Sequence, residues 1–290
     1  MKKKIEAGIM TLIFLLGGVY VLSAQKGPDW LALSYDYIEQ NRLDSAEIAL
    51  KTVLKNDPDN PLNPFLLNNL GTIQRRLGKH EEAILSYSAA LGTYPTQPVF
   101  LESRASLLAE MGQAKNAIID YSTLLDVDTN NEEALYQRGL LYLQIKNTDL
   151  AEADFRQMLK ADPNDLYAHS GLASLAKIKG NYDEAEKIYR YLLDKQPENS
   201  DFYAGRAELY LLMKRPGRAS ADIDRAIYLA GDNPQNPYLY IIRYRTNLLL
   251  HEKEEAHKDL KKAISLGYKE EDKDENENEN TPKQGTIPFE

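Results

Sequence analysis

Cysteine is absent from the 290 residues. The chain therefore has no disulfide, no thiolate metal ligand, no cysteine nucleophile and no lipidated N-terminal cysteine; an oxidising compartment is compatible with this but not required by it. Histidine is scarce: His80, His169, His251 and His257. His251 and His257 are six residues apart, so they do not share a helix face as an i, i+4 metal pair does. His251-Glu252 does not continue to a second histidine at metalloprotease spacing. We read all four as surface or packing residues. No glycine-rich phosphate loop occurs, since Gly17-Gly18 lies in an apolar N-terminal segment, and there is no nucleophile elbow. Positive charge is in deficit. A net charge of -9 and a pI near 5.2 argue against nonspecific nucleic-acid binding, which needs a basic field. No metal, cofactor or enzymatic site is called for.

The chain does contain 43% hydrophobic and 27% charged residues, a balance that fits a soluble fold. Residues 1–24 stand apart. Lys2, Lys3 and Lys4 precede an apolar run from Ala7 to Leu22, and Ser23-Ala24-Gln25 offers a small-residue cleavage point after Ala24. The segment suits a secretory signal peptide; its length also approaches that of a membrane span, so an uncleaved anchor is the alternative. From residue 271 to 290 the composition turns acidic and loses apolar periodicity, which predicts a disordered tail. That tail is either solubilising or a partner-binding segment ending in Ile287-Pro288-Phe289.

Between these ends lies a pattern that repeats. Asp165–Asn199 shows it best: apolar positions at Leu172, Leu175, Ala176 and Ile178, then at Ala185, Ile188, Tyr189 and Leu192, are stripes of helical period. They predict helix A over 166–178 and helix B over 183–195, turning at Lys179-Gly180-Asn181 and closed by Pro197. Such a hairpin cannot bury its apolar face alone. Ala46, Ala83, Ala117, Ala151, Ala185, Ala219 and Ala256 occupy one register of helix B, with spacings of 37, 34, 34, 34, 34 and 37. The two long spacings coincide with inserted prolines, at Asn60-Pro61-Leu62-Asn63-Pro64 and Asn233-Pro234-Gln235-Asn236-Pro237.

A 34-residue helix-turn-helix period, with Leu70-Gly71, Ala83, Tyr87, Ala90 and Pro95, or Gly139, Tyr142, Ala151, Phe155 and Pro163, resembles the tetratricopeptide repeat (TPR) family. The resemblance implies an all-α, right-handed superhelical solenoid of about seven TPR helix-turn-helix repeats over 25–270: 27–60, 64–97, 98–131, 132–165, 166–199, 200–233 and 237–270. Thr129, Gly231 and Tyr268 stand where the terminal proline is expected. Tyr244 replaces a small residue, and Gln74 and Asn247 replace the helix-A tyrosine. Repeat seven departs most, and Lys258, Asp259, Lys261 and Lys262 are expected to solvate the open end. Arg104, Arg138, Arg206 and Arg243 share one helix-A register; they either line an anion-binding stripe or pack their stems and pair with carboxylates.

In the resembling family, helix A lines a concave groove. Mapped residue by residue, the inward positions are Tyr35; Asn68, Asn69, Thr72 and Arg75; Glu102, Ser106 and Glu110; Tyr136 and Gln137; Tyr167, Ser170, Ser174 and Lys177; Tyr238 and Arg245. Tyrosines, amides and hydroxyls suit an extended peptide. One branch of the family grips a C-terminal carboxylate through basic and asparagine residues, but the first repeat offers Leu31 and Tyr35 instead. The expected role is a non-catalytic scaffold binding a protein or peptide of the bacterial cell envelope, exported and periplasmic, with a membrane link only if residues 1–24 are retained. The alternative is a glycan- or small-ligand-binding solenoid whose tyrosines stack on sugars.

Overall fold

In the computed structural model, residues 28–231 and 234–269 are described; the signal or anchor segment, Asn233 and the acidic tail lie outside them. The described residues form fourteen helices and no strand. They pair as hairpins: α1 (Trp30–Glu39) with α2 (Leu43–Asn56), α3 (Asn63–Arg76) with α4 (His80–Thr93), α5 (Pro98–Glu110) with α6 (Ala114–Val127), and α7 (Glu132–Gln144) with α8 (Thr148–Ala161). Then follow α9 (Leu166–Ile178) with α10 (Tyr182–Lys195), α11 (Ser200–Leu212) with α12 (Pro216–Leu229), and α13 (Pro237–Leu249) with α14 (Lys253–Ser265). The chain divides into two compact units between Ser86 and Tyr87. In the first, α1, α2 and α3 pack in chain order; in the second, α5 to α14 do.

Local chemistry sets the helix ends. Asp29, Asn131, Asp165, Asn199 and Asn236 cap the first helix of their hairpins by accepting backbone N–H bonds. Each first helix ends on a residue of positive φ, followed by an N–H that reaches back five residues. Gly180 (φ 76°) does this in α9, where Asn181 N–H donates to Ala176 O at 2.8 Å. Asn41, Lys146, Lys214 and His251 hold the same left-handed conformation without being glycine. Asn181 itself has a φ of -81° and serves as a boundary residue of α10, so the turn rests on Gly180 alone.

All seven helix-B alanines have 0% exposure. With no side chain beyond Cβ, the helices meet there as closely as their backbones permit. Aromatic side chains fill the next layer. Phe155 of α8 lies against Gly139 of α7 and Gly171 of α9; a Cβ on Gly139 would fall 2.6 Å from its ring. Tyr189 of α10 meets Gly205 of α11 in the same way, its ring 2.8 Å from where a Cβ would stand. An aromatic on one hairpin thus enters a glycine notch on the next, joining successive repeats. The chain beyond α14 folds back, with Leu266 and Tyr268 packing on Tyr240, Ile241 and Ala263. The first proline-bearing insertion runs into the first turn of α3, where Asn63 secures it by donating to Asp57 O and Pro58 O, and Pro237 of the second opens α13.

The arginine register is occupied by ion pairs. Arg138 holds Asp154 through two bonds of 2.9 and 2.7 Å. Arg104 does the same to Asp120, Arg206 to Asp222 and Arg243 to Asp259. Arg104 and Arg138 also donate to Ser88 and Ser122 of the preceding hairpin. Asp259 is therefore buried in a pair, not part of the charge that solvates the end of the chain; Lys258 and Lys261 remain exposed. The remaining repeats carry Leu33 with Ala49, Leu70 with Ser86, and Leu172 with Ile188 at these two positions. Both members change together, as a register that accepts no lone charge requires. Gln74 and Asn247, in the helix-A tyrosine position, turn polar groups inward: Gln74 bonds Glu47, Glu82 and Ser86, and Asn247 bonds Asp259.

In the first unit, Glu47 of α2 is buried. Burial pushes its carboxyl up, but hydrogen bonds from Lys51, Lys79 and Gln74 outweigh this and hold its pKa at about 2.

Three outcomes follow from this packing. Lys146→Gly is expected to raise the thermal midpoint by relieving a left-handed lysine, a gain of about 0.5–1 kcal/mol. Arg138→Met strands the Asp154 carboxylate and is expected to cost about 2–4 kcal/mol in denaturant unfolding; Arg138→Leu with Asp154→Ile, the Leu172–Ile188 arrangement, should recover most of it. Glu47 has a lower pKa folded than unfolded, so its contribution is present above about pH 4.5 and fades as pH falls towards 2. Unfolding midpoints measured across that window should drop for the native chain and drop less for Glu47→Gln.

Candidate functional site

In the second unit the first helices of successive hairpins touch one another: α7 on α9, α9 on α11, and α11 on α13. They form a row, and the residues expected on the inner face fall along it and along α5. Glu102 on α5 and Tyr167 on α9 are exposed. Ser106, Gln137, Ser174, Tyr238 and Arg245 are half-buried. Tyr136, Ser170 and Lys177 are buried, so they line the floor of the row instead of projecting from it. In the first unit, Tyr35, Asn69, Thr72 and Arg75 are half-buried and Asn68 is buried, its side-chain oxygen without a hydrogen-bond partner. Thr72 bonds back to the Asn68 carbonyl within α3.

Lys177 is not available as a free cation. Burial disfavours its charge, but the Glu208 carboxylate on α11 and the Tyr189 hydroxyl more than offset this, raising its pKa. The other end of α9 carries one member of an aromatic pair. Tyr136 on α7 and Tyr167 on α9 have ring centroids 5.3 Å apart at 57°, and Phe155 backs Tyr136 at 6.2 Å. Burial is the main cause of the raised pKa of the Tyr136 hydroxyl, and Tyr189, Tyr167, Asp201 and Glu133 add to it by their charge. Asp201, in the first turn of α11, keeps a solvent-exposed edge, yet surrounding protein pushes its carboxyl up. Glu102 is raised likewise, by burial and then by the charge of Glu133. Asp201 and Glu102 thus touch solvent while being crowded by the protein around them.

Glu133 and Asp201 were missed in the sequence. Both occupy the second position of their repeats, which Tyr167 and Tyr238 also occupy, so the register contained the signal. First-turn carboxylates have a sufficient explanation in the helix dipole, and that explanation concealed them. His169 and His257 bond to Pro163 O and Lys253 O, and His169 packs edge-on to Tyr191. No described helix is long and apolar enough to cross a membrane.

Seven helical hairpins in one register, with a row of first helices bearing the amphipathic residues, define a helical-repeat protein. Family models described as "Tetratricopeptide repeat" match residues 31–98, 132–165 and 178–236. The crystal structure of a tetratricopeptide repeat protein from Parabacteroides merdae superposes with a TM-score of 0.79 at 43% identity, covering 84% of this chain and 94% of that one. The chain belongs to the tetratricopeptide repeat family. The fold is shared with a thermophilic TPR protein of Thermus thermophilus (TM-score 0.53, 19% identity, 65% of this chain and 99% of that one). It is shared also with yeast Tom70 (TM-score 0.58, 20% identity, 77% of this chain and 49% of that one). No curated protein matches the sequence. Repeats of this kind are scaffolds for protein interaction, using the extended surface that stacking creates.

Proposed function

We propose that this protein is a non-catalytic scaffold of the bacterial cell envelope that holds an extended segment of a partner protein along the helix-A row of its second unit. The observation that carries this is Tyr167. It is 55% exposed beside the buried Tyr136, on a row whose other surface groups include Gln137 and Ser174. A rigid aromatic offers contact area at low entropic cost, and amides and hydroxyls pair with a partner's backbone. The basic start and apolar run of residues 1–24 support export, to the periplasm if cleaved and to its membrane face if retained.

A photo-crosslinking residue placed at Tyr167 or Ser174 of the full chain, in cells, is expected to give one discrete envelope-protein adduct. The same residue at Lys187, exposed on α10, should give none. Adducts from Lys187 alone would move the site to another face, and the absence of any adduct would count against a partner on this row. The intact mass of the envelope form, less residues 1–24 or not, separates the periplasmic form from the anchored one.

A further inference from the structure

Charge on the helix-A row is unevenly satisfied. Glu208 is taken by Lys177. Glu102, Glu133 and Asp201 have no ion pair among the described residues; Glu133 accepts only an amide bond from Gln137, at 2.9 Å. Dipole stabilisation accounts for acids in a first turn, but not for what surrounds these. Tyr136 is only 7% exposed, and its hydroxyl makes no hydrogen bond to a described residue although Glu133, Asp201 and Tyr167 are near enough for their charge to act on it. Tyr167 stands beside it, exposed.

A single chemical group answers all of these features. We infer that the surface formed by Tyr136 and Tyr167, flanked by Glu133 and Asp201 at the same repeat position on α7 and α11, the helices adjoining α9, receives an arginine side chain of an extended peptide. The guanidinium is planar, always charged and rich in donors. It stacks on an aromatic face such as that of Tyr167 and bonds carboxylates such as Glu133 and Asp201 on either side. One of its N–H groups supplies the donor that the Tyr136 oxygen lacks. The Asp201 carboxylate, crowded by the surrounding protein, gains a cation there and contributes more than a fully solvated surface acid does. Lysine, a compact and strongly hydrated charge, fits the ring and two-sided carboxylate arrangement less well. Glu102, next to Glu133, extends the same potential towards α5 and favours a second basic residue in that direction. The net charge of -9 adds long-range attraction. This inference rests on the peptide-scaffold reading above and specifies its partner.

The test is the panning of a displayed random nonapeptide library on the immobilised full chain, in parallel with the Glu133→Gln, Asp201→Asn double variant. Arginine is expected to be enriched over lysine on the native chain and not on the variant. A synthetic peptide of enriched sequence should lose affinity about tenfold or more when its arginine is replaced by citrulline, a nearly isosteric uncharged residue. Its affinity should also fall with added salt. Thermal melts control for folding of the double variant; should it unfold, Tyr167→Ala replaces it and is expected to weaken the arginine peptide several-fold. Enriched peptides without arginine, or arginine enrichment that survives the variants, would overturn the assignment while leaving a peptide scaffold in place. Failure to enrich any peptide, together with no adduct at Tyr167, would sink the scaffold reading itself.

Discussion

Close approach of helices at seven alanines governs everything else in this chain. Each has no exposed surface, and each is the point where a second helix lies against its neighbours. A side chain one methylene larger would force the helices apart or strain the layer, since a packed interior does not yield cheaply. The glycine notches follow from the same constraint. Once backbones are this near, a flat ring approaches the next hairpin most closely where the facing residue has no Cβ, as Phe155 does against Gly171 and Tyr189 against Gly205. The 34-residue period is therefore a packing distance expressed in sequence. Its two departures lengthen connections and leave the helices in register.

The paired arginines and aspartates show what the stack demands of charge. Four repeats place a two-bonded ion pair where the other repeats place uncharged residues. Buried pairs add little net stability over well-packed apolar substitutes, but a lone member is costly. Selection at that register thus acts on the pair, which is why Leu172 and Ile188 occur together. One consequence reaches the binding face. Arg104, Arg138, Arg206 and Arg243 are committed to internal aspartates, and Lys177 is committed to Glu208, so none of these cations neutralises Glu102, Glu133 or Asp201.

Much of the architecture was legible from residue spacing. Helix α9 has the bounds that its apolar stripe predicts, and α10 begins one residue earlier, at Tyr182. Small residues at a constant interval located every second helix, because close approach excludes all but a few side chains. The left-handed turns at Lys146 and Lys214 were not legible: lysine carries no preference for that conformation, and only tertiary context holds it there. The arginine register was visible while its partners were not, since a carboxylate 16 residues away has no mark distinguishing it from other surface acids. Inner-face positions were visible as a register but not in depth. Tyr136, Ser170 and Lys177 sit on the floor because the following first helix covers them, and nothing local to α7 or α9 encodes that cover.

Tyr136 separates the demands of the fold from those of a partner. Its ring packs on Phe155 and beside Tyr167, and a phenyl ring at 136 would fill the same volume. The hydroxyl adds nothing to that packing. The fold by itself is therefore served by phenylalanine, the residue it uses at 155. The Tyr136 oxygen is bonded by no described residue and is open to a donor from outside the chain, and the neighbouring carboxylates of Glu133 and Asp201 set the charge that such a donor must carry.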